Sequence, residues 1–334
     1  MGVELLTGTV RSNRMEDYCT KSAACSPKGD CPQWRVFLDE ITAGDVALQA
    51  YLQRAAGYCL TGHVTEHVLF FLYGTGANGK SVFVNTLAGI WDDYAVTAPM
   101  ETFIETPWSR HPTELAYLQG ARLVIAHETE RGQRWAESKI KALTGGDPIT
   151  ARFMRQDFFT FRPQFKLWVV GNHKPSLSSV DEAMRRRIHL IPFTVTIAPS
   201  RRDPDLTEKL KAEWPGILQW AVEGCLEWRQ IGLAPPDAVR EATDEYLAEE
   251  DSIARWIEEC ARLGKACWCA SDALYASWRE WAERNGEPPL SQKAFTGELG
   301  RKDLVPEKLQ HSRGWRGIEL LEDEPAEPPW WIRD

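Results

Sequence analysis

The sequence predicts an α/β fold in which helices cover the faces of a parallel sheet. The stretch "LFFLYGTGANGKSVFVNTLAGIW" (69–91) has the pattern of a strand, a glycine-rich turn and an amphipathic helix. Three later runs, at 122–127, 166–171 and 188–193, are short and apolar, which is typical of further strands. Strands that alternate with helical sequence indicate a sheet with helical layers.

The chain of 334 residues is long enough for two or three domains, and 43 % hydrophobic with 26 % charged residues is an ordinary globular composition. Helical patterning before the first strand predicts an N-terminal helical subdomain. The stretch "LAPPD" at 233–237 predicts a linker, and the acidic, proline-rich end predicts a flexible tail. The expected division is a helical region at 1–62, an α/β core at 63–235, a further domain at 236–321 and a tail at 322–334.

Composition excludes several classes of protein. No apolar run approaches the length of a membrane span and the N-terminus lacks a signal core, so we expect a cytoplasmic protein. The eight cysteines contain no C-x-x-C pair, which favours reduced structural thiols over a zinc site. The net charge of −9 argues against a surface that coats duplex DNA, but it does not exclude a basic channel.

The glycine-rich turn fits the phosphate-binding pattern G-x-x-x-x-G-K-[ST]. Its glycines allow left-handed backbone angles and a close approach to a polyphosphate, which a helix N-terminus then faces. Lys80 would reach the β and γ phosphates, and Ser81 would hold Mg²⁺. The alternative is a glycine-rich turn between core elements. The turn consists of Gly74, Thr75, Gly76, Ala77, Asn78, Gly79, Lys80 and Ser81.

Polar residues follow two of the predicted strands. A P-loop needs an acid at the end of a neighbouring strand, and "RLVIAHETE" places Glu128 there, as a candidate for metal coordination and water activation. The alternative is a solvated glutamate. The stretch "VVGN" ends with Asn172, whose amide could contact the γ phosphate or the attacking water.

Two further patterns are cationic. Ile149–Phe153 and Phe158–Arg162 predict the strands of a hairpin with Arg155 and Gln156 at its tip, although an ordinary structural hairpin fits as well. Three consecutive arginines, 185–187, precede the last predicted strand. They could form a solvated patch or a finger that reaches the nucleotide of a neighbouring subunit.

In order along the chain, G-x-x-x-x-G-K-S, "RLVIAHETE", K-x-L-T-G-G-D-x-I-x-A-R, F-K-L-x-x-x-x-N-x-x-P and R-R-I-x-x-I-P-F form a recognisable set. It resembles the superfamily 3 helicase part of phage and plasmid primase-helicases, relatives of the poxvirus primase-helicase, over roughly residues 7–320. The resemblance implies an AAA+ domain, hexameric rings, and ATP hydrolysis that moves single-stranded DNA past central hairpins with 3′ to 5′ polarity.

The resemblance also implies residue roles. It makes Lys80 the P-loop lysine, Ser81 the magnesium hydroxyl, Glu128 the second acid of the Walker B pair and Asn172 the sensor. Arg187 matches the arginine finger, with Arg186 as a close alternative, and we expect Arg187 to project from its own subunit. Arg155 and Gln156 fall at the DNA-contacting hairpin tip. His127 departs from the family, because many members have an acid there.

The last hundred residues resemble the winged-helix region of the same proteins. In this region Lys293, Arg301, Lys302, Arg313 and Arg316 are candidate phosphate contacts. Docking of a protein is an equal alternative. Since the family carries a polymerase domain upstream, we expect either a fragment or a standalone helicase, with a primase as a partner. An ATP-loaded origin-binding initiator and a P-loop kinase are the competing functions.

Overall fold

A computed structural model describes residues 1–106, 113–127, 132–177, 180–287, 290–309 and 312–321. The chain divides into two compact units, Met1–Tyr246 and Leu247–Asp334. Within the described ranges, no helix has both the length and the apolar character that crossing a membrane requires.

The first unit alternates helices and strands over most of its length. Its elements are β1 (Gly2–Glu4), β2 (Thr9–Arg11), α1 (Pro32–Ile41), α2 (Val46–Tyr58), β3 (Leu69–Tyr73), α3 (Lys80–Trp91), β4 (Ala95–Thr97), α4 (Thr113–Ala116), β5 (Leu123–His127), α5 (Glu137–Gly145), β6 (Ile149–Ala151), β7 (Phe159–Phe161), β8 (Lys166–Gly171), α6 (Glu182–Arg185), β9 (Ile188–Pro192), α7 (Leu206–Ala212), α8 (Trp214–Ile231) and α9 (Asp237–Glu250).

Five strands form a parallel sheet in the order β4-β5-β8-β3-β9. Burial on both faces explains the continuous apolar runs of these strands. Strand β8 lies between β3 and β5, so the expectation that the acid-bearing strand neighbours the P-loop strand is wrong. The chain moves outward from β3 to β4 and β5 and then returns to fill the intervening position with β8.

The N-terminal helices share one core with the sheet, and this corrects the expectation of a separate helical subdomain. Trp34 of α1 stacks on Phe83 of α3 with ring centroids 5.3 Å apart, and its edge meets Trp220 of α8 at 5.5 Å. Phe83 in turn stacks on Trp168 of β8 at 5.7 Å. These large rings bury the apolar area that holds three helices on the sheet.

Helices α2 and α8 cross at two glycines. A Cβ added to Gly57 would lie 2.1 Å from the backbone nitrogen of Cys225, and one added to Gly224 would lie 2.1 Å from the carbonyl oxygen of Gln53. Only residues without a side chain allow this backbone contact. The crossing therefore fixes α2 within the first unit.

The predicted linker at 233–237 is part of the first unit. Leu233 is buried, and the buried Arg54 donates hydrogen bonds to the carbonyl oxygens of Leu233 and Ala234, at 3.0 and 3.2 Å. The following helix also packs here, since Thr243 accepts a 2.9 Å hydrogen bond from the backbone of Leu190 in β9. The division into units falls later, within α9, because the first half of this helix is anchored to the sheet.

In the ranges that the structure describes, the second unit contains three complete helices and a small antiparallel sheet. Its elements are α10 (Ser252–Cys260), β10 (Ala261–Ala270), α11 (Ser271–Asn285), α12 (Gln292–Arg301), β11 (Val305–Leu309) and β12 (Ser312–Leu320). The strands pair in the order β10-β12-β11. A buried aromatic cluster that includes Trp256, Trp278 and Phe295 forms its core.

Candidate functional site

The glycine-rich turn connects the end of β3 to the start of α3, at the carboxyl edge of the parallel sheet. Gly76 and Gly79 adopt left-handed φ angles of 102° and 83°. A Cβ on Gly74 would lie 2.3 Å from the carbonyl oxygen of Phe193, and one on Gly79 would lie 2.4 Å from the side chain of Ile41. Each of these glycines is therefore required by the backbone path or by a close neighbour.

Lys80 is the centre of a hydrogen-bond network. Its side chain is 4 % exposed, and its ammonium donates to the Gly74 carbonyl at 2.7 Å and to the Asn78 and Asn172 amide oxygens, each at 3.1 Å. Asn78 is also buried and donates to the carbonyl oxygen of Phe193 at 3.0 Å. Burial lowers the pKa of Lys80 to about 8. The loop thus holds a cation against oxygen atoms in a poorly solvated position, which fits an anionic ligand.

Asn172 reaches this network because of the sheet order. Strand β8 ends at Gly171, which pairs with Tyr73 of β3, so the residues that follow the two strands are side by side. The Asn172 side chain is exposed, and its oxygen contacts Lys80. The structure therefore brings two of the sequence-predicted site residues together.

The candidate magnesium ligands are only partly described. Ser81 is exposed at the start of α3, where a hydroxyl could join the water shell that Mg²⁺ retains. Glu128 lies outside the described residues. His127 ends β5 opposite Val170, and burial lowers its pKa, which favours a neutral imidazole at neutral pH. In the described ranges, no cluster of three or more His, Cys, Asp or Glu side chains could hold a metal ion. Of the two predicted magnesium ligands, Ser81 is the one that the structure describes, and its hydroxyl oxygen fits the metal.

A cavity of about 350 Å³ adjoins the P-loop. Its apolar lining includes Phe37 of α1, Val82 of α3 and Leu206 of α7, and a salt bridge of 2.8 Å joins Arg201 to Glu40 among the lining residues. The size is within the range of small-ligand sites. Sequence reasoning missed this cavity, because its walls come from three separated stretches that carry no shared motif.

The three arginines have different environments. Arg185 pairs with Asp244 at 3.3 Å. Arg187 is only 7 % exposed, and its guanidinium donates to Thr144 Oγ1 at 3.1 Å and to the Ala183 carbonyl at 2.7 Å. The expectation that Arg187 projects from its subunit is therefore wrong, because its side chain packs beneath α5. Burial also lowers its pKa.

Arg186 is exposed, and its guanidinium makes no hydrogen bond or ion pair to any residue that the structure describes. It precedes β9, so it lies at the amino edge of the parallel sheet, while the P-loop follows the carboxyl end of β3. Of the two finger candidates, Arg186 is therefore the one whose side chain is free to meet another molecule.

The predicted hairpin is present but its strands are shorter. Ile149–Ala151 pairs with Phe159–Phe161, and residues 152–158 form the loop. Phe153 leaves the ladder because its ring packs on Tyr117 and Phe159, with centroids 5.5 and 5.7 Å away. Arg155 has a left-handed φ of 61°, and both Arg155 and Gln156 are exposed at the tip.

Three of the five candidate phosphate contacts in the second unit form ion pairs. Arg301 forms an ion pair with Glu298, Lys302 with Asp251, and Arg316 with Glu307 at 3.6 Å. Lys293 and Arg313 are exposed and have no ion pair among the described residues. Of the five candidates, Lys293 and Arg313 are thus the two whose side chains could meet phosphate.

Comparison with known protein families gives a match to residues 72–187, from β3 to Arg187. The family is described as "Family of unknown function (DUF5906)", and the match spans about a third of the chain. The matched segment contains the glycine-rich turn, the hairpin, Asn172 and the three arginines. These features of the first unit therefore belong to one shared segment.

The chain is similar to viral proteins that carry helicase names. "Putative helicase 022R" of Frog virus 3 (isolate Goorha) is 26 % identical over 351 residues, which cover 95 % of this chain and 34 % of the relative. A protein of Acanthamoeba polyphaga mimivirus, also named "Putative helicase", is 27 % identical over 300 residues, covering 82 % of this chain and 30 % of that protein. The chain thus spans about a third of the length of these curated relatives.

Among solved structures, the apo structure of the NrS-1 C-terminal region has a similar fold. It superimposes with a TM-score of 0.55 at 9 % identity, covering 89 % of this chain and 78 % of the NrS-1 chain. At this identity the likeness concerns the fold alone. The chain is therefore a mixed α/β protein with a parallel five-stranded sheet, similar in sequence to viral proteins named as helicases.

Proposed function

We propose that this chain is the motor of an ATP-dependent DNA helicase of superfamily 3. The observation that carries the proposal is the position of Lys80, whose ammonium joins the P-loop at Gly74 to Asn172 at the end of the adjacent strand. A nucleotide phosphate bound in the turn would meet both residues. The adjoining cavity of about 350 Å³ is large enough for the nucleoside of ATP.

In the proposed reaction, Lys80 and the backbone amides of the turn hold the phosphates, and Lys80 stabilises the negative charge that develops during transfer. Asn172 orients the attacking water. Glu128, outside the described residues, would accept the proton of that water. Mg²⁺, held by Ser81 and Glu128 together with water, would neutralise charge on the phosphate oxygens.

Arg186 supports a site shared between subunits. It lies at the opposite sheet edge from its own P-loop and is exposed, so it could meet the P-loop of a neighbour in a ring. We infer an AAA+ arrangement in a homo-oligomer, a hexamer by resemblance, with Arg186 in preference to Arg187 as the finger. The order of helices and strands in the second unit supports a winged-helix assignment.

Single-stranded DNA is the proposed track, with movement from 3′ to 5′ and with Arg155 and Gln156 as contacts at the hairpin tip. The helicase names of the viral relatives support this assignment. We place the activity in the replication of a phage, prophage or plasmid in a bacterial cytoplasm, with a primase or polymerase as a partner.

The second candidate is an ATP-loaded initiator that binds origin DNA and recruits other factors. The exposed Lys293 and Arg313 of the second unit favour it, because they could contact duplex phosphates. ATPase activity measured with and without single-stranded DNA, beside the solution mass, tests the favoured function. We expect an oligomer whose ATPase rises with single-stranded DNA and is lost in Lys80→Ala. A monomer with no DNA response would contradict it.

A further inference from the structure

We propose that the hairpin tip holds single-stranded DNA by stacking a base on the ring of Phe158. This inference rests on the proposed function, which supplies the track, and it adds a second kind of contact to the phosphate contact expected of Arg155. The tip is defined here as residues 152–158.

The first observation is an unusual exposure of apolar side chains. Phe158 is 59 % exposed and Met154 is 68 % exposed, within the same seven-residue loop. Two large apolar side chains exposed within one short loop suggest an interaction site. A solvated structural hairpin would not require either residue.

The second observation is that the ring of Phe158 is held in place. The guanidinium of Arg152 lies 4.7 Å from the ring centroid, in a cation–π contact. The Nε atom of Arg152 is buried and makes no hydrogen bond to any described residue. A hydrogen bond from Nε therefore does not account for the position of the guanidinium over the ring. A ring covered on one side by a cation can still offer its other side to a ligand.

The third observation is a rigid base beneath the tip. Rings of Tyr117, Phe153, Phe159 and Phe161 contact one another in series, with centroid distances of 5.5, 5.7 and 6.0 Å. Tyr117, at one end of the series, is 64 % exposed. This aromatic ladder gives the tip a preorganised support.

Charge and aromatic surface together identify the ligand class. Although the chain carries a net charge of −9, the hairpin from 149 to 162 contains three arginines and one aspartate. A cationic segment with exposed rings matches the phosphates and unstacked bases of a single strand. In duplex DNA the base faces are already stacked, so a duplex offers no partner for the ring of Phe158.

The test compares two fluorescent strands of equal length, one of oligothymidylate and one abasic, which carry the same phosphates with and without bases. Binding of the full-length chain is followed by anisotropy at several salt concentrations. Phe158→Ala should weaken binding to oligothymidylate about tenfold, in the range that loss of one stacked base causes, with an unchanged salt slope. Its affinity for the abasic strand should equal that of the wild type.

Three further variants make the test specific. Phe158→Tyr should restore binding, whereas Phe158→Leu should not, because only an aromatic ring stacks. Arg155→Ala should weaken binding to both strands and reduce the salt slope. Tyr18→Ala, which removes an exposed ring outside the hairpin, should bind like the wild type.

Equal loss on both strands in Phe158→Ala, or wild-type affinity of Phe158→Leu, would overturn base stacking and leave the proposed function standing. Wild-type affinity of Phe158→Ala for both strands would do the same and would point to a protein partner for the tip. If the wild type binds neither strand, the proposed function itself fails together with this inference. Unfolding temperatures of all variants should match, since the substituted side chains are exposed.

Discussion

The ammonium nitrogen of Lys80 lies 3.1 Å from the amide oxygen of Asn172, across the ends of two paired strands. Lys80→Ala removes this contact and the charge that, in the proposed reaction, stabilises phosphate transfer, so we expect ATP hydrolysis to fall at least about a hundredfold. Asn172→Ala keeps the phosphate-binding loop, so nucleotide affinity should stay near the wild-type value while turnover falls. Steady-state ATPase and nucleotide titration measure both effects. Equal loss of affinity in Asn172→Ala would make Asn172 a binding residue.

Arg186 and Arg187 should respond differently to substitution. Arg187→Ala removes a buried guanidinium with two hydrogen bonds, so we expect the free energy of unfolding to fall by about 1–3 kcal/mol. Arg186→Ala should leave stability unchanged because its side chain is exposed, and it should lower ATP hydrolysis. Denaturant unfolding and ATPase assays separate the two outcomes. Normal hydrolysis in Arg186→Ala would exclude Arg186 as a finger.

Mixed oligomers test whether active sites are shared. Arg186→Ala and Lys80→Ala are each expected to hydrolyse ATP poorly alone. Mixing them should restore part of the ATPase activity, because an intact P-loop of one subunit can then face an intact arginine of the next. Mixed oligomers that form and remain inactive would argue against a shared site at Arg186.

The glycine crossing of α2 and α8 gives a stability prediction. Gly224→Ala places a methyl group 2.1 Å from a backbone oxygen. We therefore expect the free energy of unfolding to fall by about 3 kcal/mol or more, or the protein to fail to fold. Gly297→Ala in α12 is the matched control, since its Cβ meets nothing within 4 Å and alanine favours helix by about 1 kcal/mol. The unfolding temperatures of the two variants and the wild type measure the difference. A Gly224→Ala protein as stable as the wild type would show that the helices can separate there.

The buried Lys166 predicts a pH dependence of stability. Its ammonium bonds to the Thr61 carbonyl, and burial lowers the pKa of Lys166 to about 7. The unfolded chain has a lysine pKa near 10.4, so above pH 7 the folded state releases a proton that the unfolded state keeps. Lys166 should therefore make the free energy of unfolding rise with pH, and its contribution is at most about 1.4 kcal/mol per unit.

The effect of Lys166 on stability is best measured between about pH 7 and pH 8.5. Above this range, thiols of the unfolded chain lose protons while burial raises the pKa of Cys59 to about 11, and this opposes the rise. Lys166→Met is the control, because it removes the titrating group and keeps an apolar chain of similar length. Urea titrations should show a smaller rise with pH for Lys166→Met than for the wild type. Parallel curves would mean that Lys166 stays charged in the folded state.

The strands and the glycine-rich turn between β3 and α3 could be predicted because each has a local signal. Apolar runs bounded by polar residues predicted β8 at the residues observed and β9 to within one residue. Strand β4 was missed, since Ala95–Thr97 is too short to show periodicity. The sheet order was also missed, because the alternation of strands and helices does not specify which strand fills the position beside β3.

Side-chain environments account for the remaining differences at the site. Three consecutive arginines look equivalent in sequence, and only the structure shows that Arg187 is buried against Thr144 of α5 while Arg186 is exposed. Likewise, only the structure shows that Phe158 is exposed and that Phe153 packs on Tyr117 and Phe159. The roles of Lys80 and Asn172 stay predictions for the experiments above, and the role of Glu128 stays a prediction as well.

Strand displacement tests the central claim most directly. Two partial duplexes are compared, one with a 3′ single-stranded tail and one with a 5′ tail, in the presence and absence of ATP. The account predicts that the wild type displaces the partner strand from the 3′-tailed substrate only with ATP, and that Lys80→Ala displaces none. ATP hydrolysis without displacement from either substrate would contradict a helicase and favour the initiator.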